Sequence, residues 1–397
     1  MDIIDRFLKY VSFDTTSKEV KKDEASSQNQ YKLAEEIKKE MIDLGGEDIH
    51  INKYGTVYGY FPGQIEGDSV VLIAHMDTSN AAKGKDIKPR IIKKYDGKDI
   101  KLSDETTMKV EDFPSLLKSV GHELIVTDGT TLLGADDKAG IAIAMDVVNY
   151  FVKNKIPHRS IELVFSTDEE IGVGADHIEI ERLHSKYGYT IDGGDIHYLC
   201  IENFNAASMK VEITGRSIHP GSAKDKMINA VNVGVEFHDS LPKFMRPEHT
   251  ENREGFYHII DFNGNEEKTT MNYIVREFDS HKLDSMLDYA KLAEERLNHK
   301  YGTNVVKVDI VKTYKNMRPI IEKQPEIIGR IEKIYKEKGI DYEFEPIRGG
   351  TDGAVLTNRG FSCPNLGTGG ANFHGRFEYL DVDQMKQMVE ILIELYK

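Results

Sequence analysis

The stretch Val70-Val-Leu-Ile-Ala-His75-Met-Asp77 decides how this chain is read. An unbroken apolar run followed by a histidine and an aspartate describes a strand buried on both faces that delivers polar groups at its carboxyl end. Leu133-Gly-Ala-Asp136-Asp-Lys138, Leu163-Val-Phe-Ser-Thr-Asp-Glu169-Glu170 and Tyr189-Thr-Ile-Asp192-Gly-Gly194 repeat that arrangement. Asn372-Phe-His374-Gly375 adds a further histidine near the C-terminus. In open α/β sheets, ligands bind just outside the carboxyl ends of the strands. Acids and imidazoles that are far apart in sequence can therefore meet at one place, and together they read as a metal-assisted hydrolase.

Working outward, the hydrophobic spacing predicts a layered α/β domain. A helix is expected over 28–44, with Ala34, Ile37, Met41 and Leu44 on one face and Gly45-Gly46 at its end. Strands are expected at 56–61, 69–74 and 161–166. A helix marked by Ile141, Ala144, Met145 and Val148 follows Asp136-Asp137-Lys138. The Lys- and Asp-rich segment 80–131, with a short strand candidate at 123–127, reads as an elaboration between two site strands. Near Ala207 the pattern changes to Met209, Val211 and Ile213 alternating with Lys210 and Glu212, a half-exposed strand. A helix (228–240), two strands (256–262 and 270–278), a helix (280–298) and a strand (304–312) follow. That order is β-α-β-β-α-β, the ferredoxin-like arrangement. Helix–strand alternation returns after Asn316, with helices around Ile327–Tyr335 and Met385–Leu395. The expected organisation is a catalytic α/β domain with a central mixed sheet, residues 1–206 and 315–397. A ferredoxin-like α+β lid, 207–314, interrupts it.

Bulk properties narrow the function. A chain of 397 residues has room for two domains. Its net charge of −15 opposes a nucleic-acid backbone or an anionic membrane as partner. No apolar run approaches the ~20 residues of a membrane-spanning helix. The N-terminus carries acids within its apolar stretch and reads as an amphipathic helix with Ile4, Phe7, Leu8 and Val11 on one face, not as a signal peptide. The two cysteines, Cys200 and Cys363, have neither disulfide-framework nor thiolate-zinc spacing. A cytoplasmic protein is expected.

Each candidate residue has a plainer reading. His75 and Asp77 leave the same face of a strand, and Asp77 can accept a hydrogen bond from the other ring N–H of a ligating imidazole. A lone histidine after an apolar run is more often structural, and only the other segments reverse that balance. Asp136 could bridge two cations, while either it or Asp137 could cap the helix starting near Lys138. Glu169 and Glu170, adjacent at a strand exit, should point apart. That permits one ligand and one general base, although such a pair is commonly just solvated. Asp192 before Gly193-Gly194 fits a turn as well as a ligand. His219, in Ser217-Ile-His-Pro-Gly221, fits an exposed turn. His374 lies among glycines that allow close approach.

Taken together, His75-Met-Asp77, Gly134-Ala-Asp136-Asp-Lys138, Asp168-Glu169-Glu170, Ile191-Asp-Gly-Gly194, Ile218-His-Pro-Gly221 and Asn372-Phe-His-Gly375 resemble the peptidase T family of tripeptide aminopeptidases. That family lies in the two-zinc group of aminoacylase, acetylornithine deacetylase, succinyl-diaminopimelate desuccinylase and the glutamate carboxypeptidases. The resemblance covers essentially the whole chain. It implies two Zn²⁺ per subunit, one held by His75 and Asp192, the other by Glu170 and His374, with Asp136 between them and a cis peptide to Asp137. It also implies that Glu169 is the general base toward a water shared by the cations and that Asp77 orients His75. His219 of the lid would hold the developing oxyanion. In relatives the equivalent histidine can come from a partner subunit, so a homodimer is an expected assembly.

A tripeptide substrate needs its C-terminal carboxylate read, for which a bidentate arginine is suited. Arg276 and Arg348 are the candidates, each with a surface salt bridge as the plain alternative, and Asn372 is a further substrate contact. The competing functions are an N-acyl amino acid deacylase or carboxypeptidase of the same group, and an inert peptide-binding homologue. A required free α-amine separates the first, and retention of Glu169 and every ligand argues against the second.

Overall fold

The structure, a computed structural model, describes every residue of the chain except Lys22. It divides into two compact units: Met1–Ile201 with Pro319–Glu345 and Thr351–Lys397, and Glu202–Arg318 with Pro346–Gly350.

Unit 1 is built on a mixed six-stranded sheet. Its strands are β1 (Glu47–Ile51), β2 (Val57–Phe61), β3 (Val70–His75), β4 (Ile161–Ser166), β5 (Gly188–Gly193) and β6 (Asn365–Gly367), in the spatial order β1-β2-β4-β3-β5-β6. β3, β4, β5 and β6 run parallel, and β2 turns antiparallel to β4. Every residue of β3 and of β4 is buried, which is why both read as continuous apolar runs and not as alternation. Helices α1 (Ile3–Val11), α2 (Gln28–Asp43), α3 (Ala135–Asn154), α4 (Pro325–Lys338) and α5 (Val382–Tyr396) supply much of the remaining core. A second, four-stranded sheet joins the short strands Gly370–Ala371, Tyr379–Asp381, Leu124–Val126 and Arg90–Ile92. The 80–131 elaboration thus pairs with the segment that follows His374. It has its own small core of Tyr95, Ile100, Leu102, Met108, Leu116 and Tyr379, among others.

Two expectations shift in detail. The buried face of α1 is Ile3, Arg6, Phe7, Tyr10 and Val11, while Ile4 and Leu8 are half-buried at the edge of the core. Arg6 can go inside because Glu40 and Asp146 each accept from its guanidinium at 2.6 Å, and a buried charge needs such partners. On α2, Gln30 and Leu33 join Ala34, Ile37 and Met41 inside, and Leu44 becomes the C-cap. Gly45 follows at φ +83°, the left-handed conformation that ends many helices.

Unit 2 has the order strand Asn205–Thr214, helix Ala230–Ser240, strands Phe256–Gly264 and Lys268–Glu277, helix Ser280–Tyr301 and strand Val306–Tyr314. The four strands form one antiparallel sheet in which 205–214 and 268–277 are central. Ala207, Met209, Val211 and Ile213 face its core together with the apolar sides of both helices.

Candidate active site

The parallel register of unit 1 assembles the site. His75, the last residue of β3, lies opposite Ser166, the last residue of β4. Ile73 lies opposite Thr190 of β5, so continuing the register by two residues sets His75 beside Asp192. Beyond β4 the chain takes a positive φ of +62° at Asp168, and Glu169–Ile171 form a single 3₁₀ turn. Asp136 and Asp137 sit in non-helical backbone at the start of α3, joined by a cis peptide bond, so regular helix begins at Lys138. His374 and Asn372 also hold positive φ, +61° and +56°. Sparsely populated backbone of this kind persists only where surrounding structure enforces it, and it gathers at functional sites.

The imidazoles and carboxylates meet closely. His75 Nε2 is 2.8 Å from Asp136 Oδ1 and 3.5 Å from Asp192 Oδ1. His374 Nε2 is 3.0 Å from Asp136 Oδ2 and 3.0 Å from Glu170 Oε2. Asp136 therefore stands between a His75/Asp192 pair and a His374/Glu170 pair, with one oxygen toward each. Asp77 lies 3.3 Å from His75 Nδ1, and its two oxygens accept from the backbone N–H groups of Glu169 and Glu170 at 3.1 and 3.2 Å. Asp137 is engaged by backbone. Its oxygens accept from the His75 and Gly140 N–H groups at 3.2 Å each, so this aspartate caps the helix and Asp136 does not.

So many partly buried acids oppose one another's ionisation. Burial pushes Asp192 up to about 7, only partly offset by His75. Burial likewise raises Glu169 and Asp137 well above the carboxylate range, and raises Glu170 against the pull of His374. For Asp136 burial also acts upward, but hydrogen bonds from His374 and His75 win and hold it below the ordinary value. Hydrogen bonds to Asp136 and Glu170 raise His374 to about 10. His75, opposed by burial, is carried well upward by Asp192, Asp136 and Asp77. The two imidazoles are thus the groups that offset these carboxylates.

These residues fit metal ions. The donors are all imidazole nitrogen and carboxylate oxygen, a set that suits zinc. One ligand atom each from His75, Asp136 and Glu170 lie within 4.8 Å of one another, as do atoms from His75, Asp137 and Asp192. Glu170 Oε1 is buried with no hydrogen-bond partner, an orphan that coordination would satisfy.

Other candidates lie in unit 2. His219 is exposed, and its Nδ1 accepts from Gly221 N–H at 3.2 Å. In the neutral ring that leaves the proton on Nε2, a donor. The Arg276 guanidinium donates to the carbonyls of Ala207 and Val275 and lies over the Tyr314 ring. Arg348 donates to the carbonyls of Asn252 and Glu254 and to Thr250 Oγ1, over the rings of Phe204 and Phe256. Among the described residues, neither forms the surface salt bridge that the plain reading allowed. Back in unit 1, the Asn372 side chain donates to Phe377 O at 3.1 Å and so braces the loop that carries His374.

Three buried acids around the site received no role from the sequence, although Asp168 stands in one of its motifs. Asp168 accepts from Ser26 N–H and from Gln30 Nε2, both at 2.7 Å. Asp352 accepts from Ser166 Oγ at 2.6 Å and Ala175 N–H at 2.7 Å, bracketing Glu169 and Glu170. Glu378 accepts three backbone N–H groups of the Asp136 loop. Among the described residues, no helix is long and apolar enough to cross a membrane.

With this geometry in place, known proteins can be set beside the chain. The model of Peptidase family M20/M25/M40 matches residues 123–397. Peptidase T of Clostridium novyi is 44% identical over 402 residues, 99% of each chain. Among solved structures, a tripeptidase from Staphylococcus aureus aligns over 99% of this chain and 96% of its own, with a TM-score of 0.79 and 20% identity. A dinuclear metal-binding peptidase of the M20 family from Bacillus subtilis aligns over 99% and 97%, with a TM-score of 0.65 and 11% identity. At these identities the two structures bear on the fold.

Proposed function

This chain belongs to peptidase family M20/M25/M40, within its peptidase T group, and is a metal-dependent tripeptide aminopeptidase, for which we propose a two-zinc site of five ligands. His75 and Asp192 would hold one ion, Glu170 and His374 the other, with Asp136 available to both. The observation that carries this reading is Asp136, with one carboxylate oxygen at each imidazole, 2.8 and 3.0 Å away. When bound, the two cations would lower the pKa of a water between them and polarise the scissile carbonyl.

The chain's own residues do the rest. Glu169, unpaired with either imidazole, takes a proton from the attacking water at its carboxylate and returns it to the leaving amine. Asp77 holds the His75 ring through Nδ1 and the Glu169–Glu170 turn through two N–H groups, so one carboxylate aligns a ligand and the base together. His219 donates from Nε2 to the oxyanion. The substrate's C-terminal carboxylate is assigned to Arg276 or Arg348, with Asn372 as a further contact, and the protein is placed in the cytoplasm.

The test is hydrolysis of Met-Gly-Gly beside its N-acetylated form, with a chelator control and the Glu169→Ala variant. Release of methionine from the free peptide only, lost with chelator and in the variant, is the expected result. Cleavage of the acetylated compound alone would make the protein a deacylase instead. A C-terminally amidated tripeptide separates the arginines. Whichever of Arg276→Ala and Arg348→Ala raises KM for the acid but not for the amide reads the carboxylate, and if neither does, that assignment is wrong.

A further inference from the structure

Glu378 lies four residues after His374 and only 1% of it is exposed. Its Oε2 accepts from Leu133 N–H at 2.6 Å and Gly134 N–H at 2.9 Å, and its Oε1 accepts from Asp136 N–H at 3.1 Å. Because the backbone at Asp136 and Asp137 is not helical, these N–H groups sit in a loop that needs an outside acceptor. The two oxygens of one carboxyl group satisfy all three at once.

The same short segment also holds the other end of Asp136. His374 Nε2 lies 3.0 Å from Asp136 Oδ2 while Glu378 holds Asp136 by its N–H. Side chain and backbone of one aspartate are thus gripped by one loop. That loop is itself anchored: Glu378 N–H donates to Gly375 O at 3.2 Å, the Phe377 ring packs 5.1 Å from Phe113, and Tyr379 enters the small sheet opposite Val126. Fully buried Lys138, whose Nζ donates to Phe13 O, is the nearby counter-charge.

We propose that Glu378 is a positioning residue that sets where Asp136 stands between the two metal subsites. The proposal rests on the two-metal reading above. Glutamine at 378 can offer its oxygen to Leu133 and Gly134 or to Asp136, but not to both sides. Its amide N–H₂ would face the remaining donor and release the aspartate loop.

The experiment titrates zinc into metal-free protein by calorimetry, with thermal melts of the same metal-free samples. For Glu378→Gln we expect zinc affinity to fall by about 10- to 100-fold at both sites, since Asp136 faces both, the usual effect of removing a group that orients a metal ligand. kcat should fall in parallel while KM stays within about twofold. The matched control is Glu162→Gln. Glu162 is 4% exposed and also accepts two backbone N–H groups, of His184 and Ser185, but from the start of β4, the end away from the site. It should melt lower and bind both ions normally. Wild-type zinc affinity in Glu378→Gln, or an equal loss in Glu162→Gln, would overturn the proposal. Should the glutamine variant not fold, Glu378→Asp decides the same question: weaker zinc binding supports the role, and unchanged binding overturns it. Wild-type protein that binds a single ion would overturn the two-metal reading itself.

Discussion

At the scale of single residues, the site separates groups that hold charge from the one that moves a proton. Both imidazoles face carboxylates, and Asp77 is occupied by two N–H groups and His75. Among the described residues Glu169 has no such ion-pair partner, and burial pushes it upward, as suits a group that must accept a proton and give it back. Replacing Glu169 with glutamine should lower kcat by about 10²- to 10⁴-fold and leave the zinc content unchanged, checked by steady-state kinetics beside elemental analysis. Asp77→Asn should behave differently. Its amide cannot accept from both Glu169 and Glu170 N–H, so metal affinity should drop by about 10- to 100-fold along with activity. If the asparagine variant keeps both metals and loses only kcat, Asp77 takes a direct part in the chemistry.

At the scale of elements, helix α3 lies so close to β5 that Gly140 has no room for a side chain: a Cβ there would collide with the Ile191 carbonyl and the Asp137 carboxylate. Alanine in place of glycine usually stabilises a helix by about 1 kcal/mol. Here Gly140→Ala should instead destabilise by about 1–3 kcal/mol, read from the denaturation midpoint. In unit 2, Glu202 is buried and receives Arg253 at 2.5 and 2.6 Å, Asn316 at 3.1 Å and Arg318 at 3.1 Å. Burial would raise its pKa, but these partners prevail and lower it. A depressed folded-state pKa means that the folded form binds fewer protons than the unfolded one. The stabilisation is therefore full above the unfolded value of about 4.3 and is lost as pH falls through the folded value. Glu202→Gln should melt lower than wild type at pH 7, with the gap closing toward pH 3. A constant gap would mean that packing, not charge, is what the residue contributes.

At the scale of the whole molecule, metal is expected to act on stability as well as on activity. The site packs Asp136, Glu169, Glu170 and Asp192 around two imidazoles. A cation that binds the folded form alone stabilises by about 2.7 kcal/mol at a free concentration a hundred times its dissociation constant. Chelation should therefore lower the melting temperature, and zinc should restore it in a concentration-dependent way. A melting temperature indifferent to chelator would contradict a site built around cations.

Much of this architecture is legible in the sequence because it is local. An apolar run that ends in His or Asp identifies both a parallel strand and its active end, which is how His75, Asp192 and the Glu169–Glu170 pair stand out from the residues alone. Alternation at Met209, Val211 and Ile213 marks the start of the second unit equally well. What only the tertiary structure decided is which partner each polar group finds. That Asp137 caps a helix while its neighbour faces the imidazoles depends on the register of β3 beside α3. That Arg348 is held by the carbonyls of Asn252 and Glu254, and Glu378 by the N–H groups of Leu133, Gly134 and Asp136, depends on segments about a hundred to more than two hundred residues apart in the chain. Periodicity reports which face of an element is buried. It carries no information about which distant backbone N–H or carbonyl will lie within hydrogen-bond reach, because that is settled only when the elements pack.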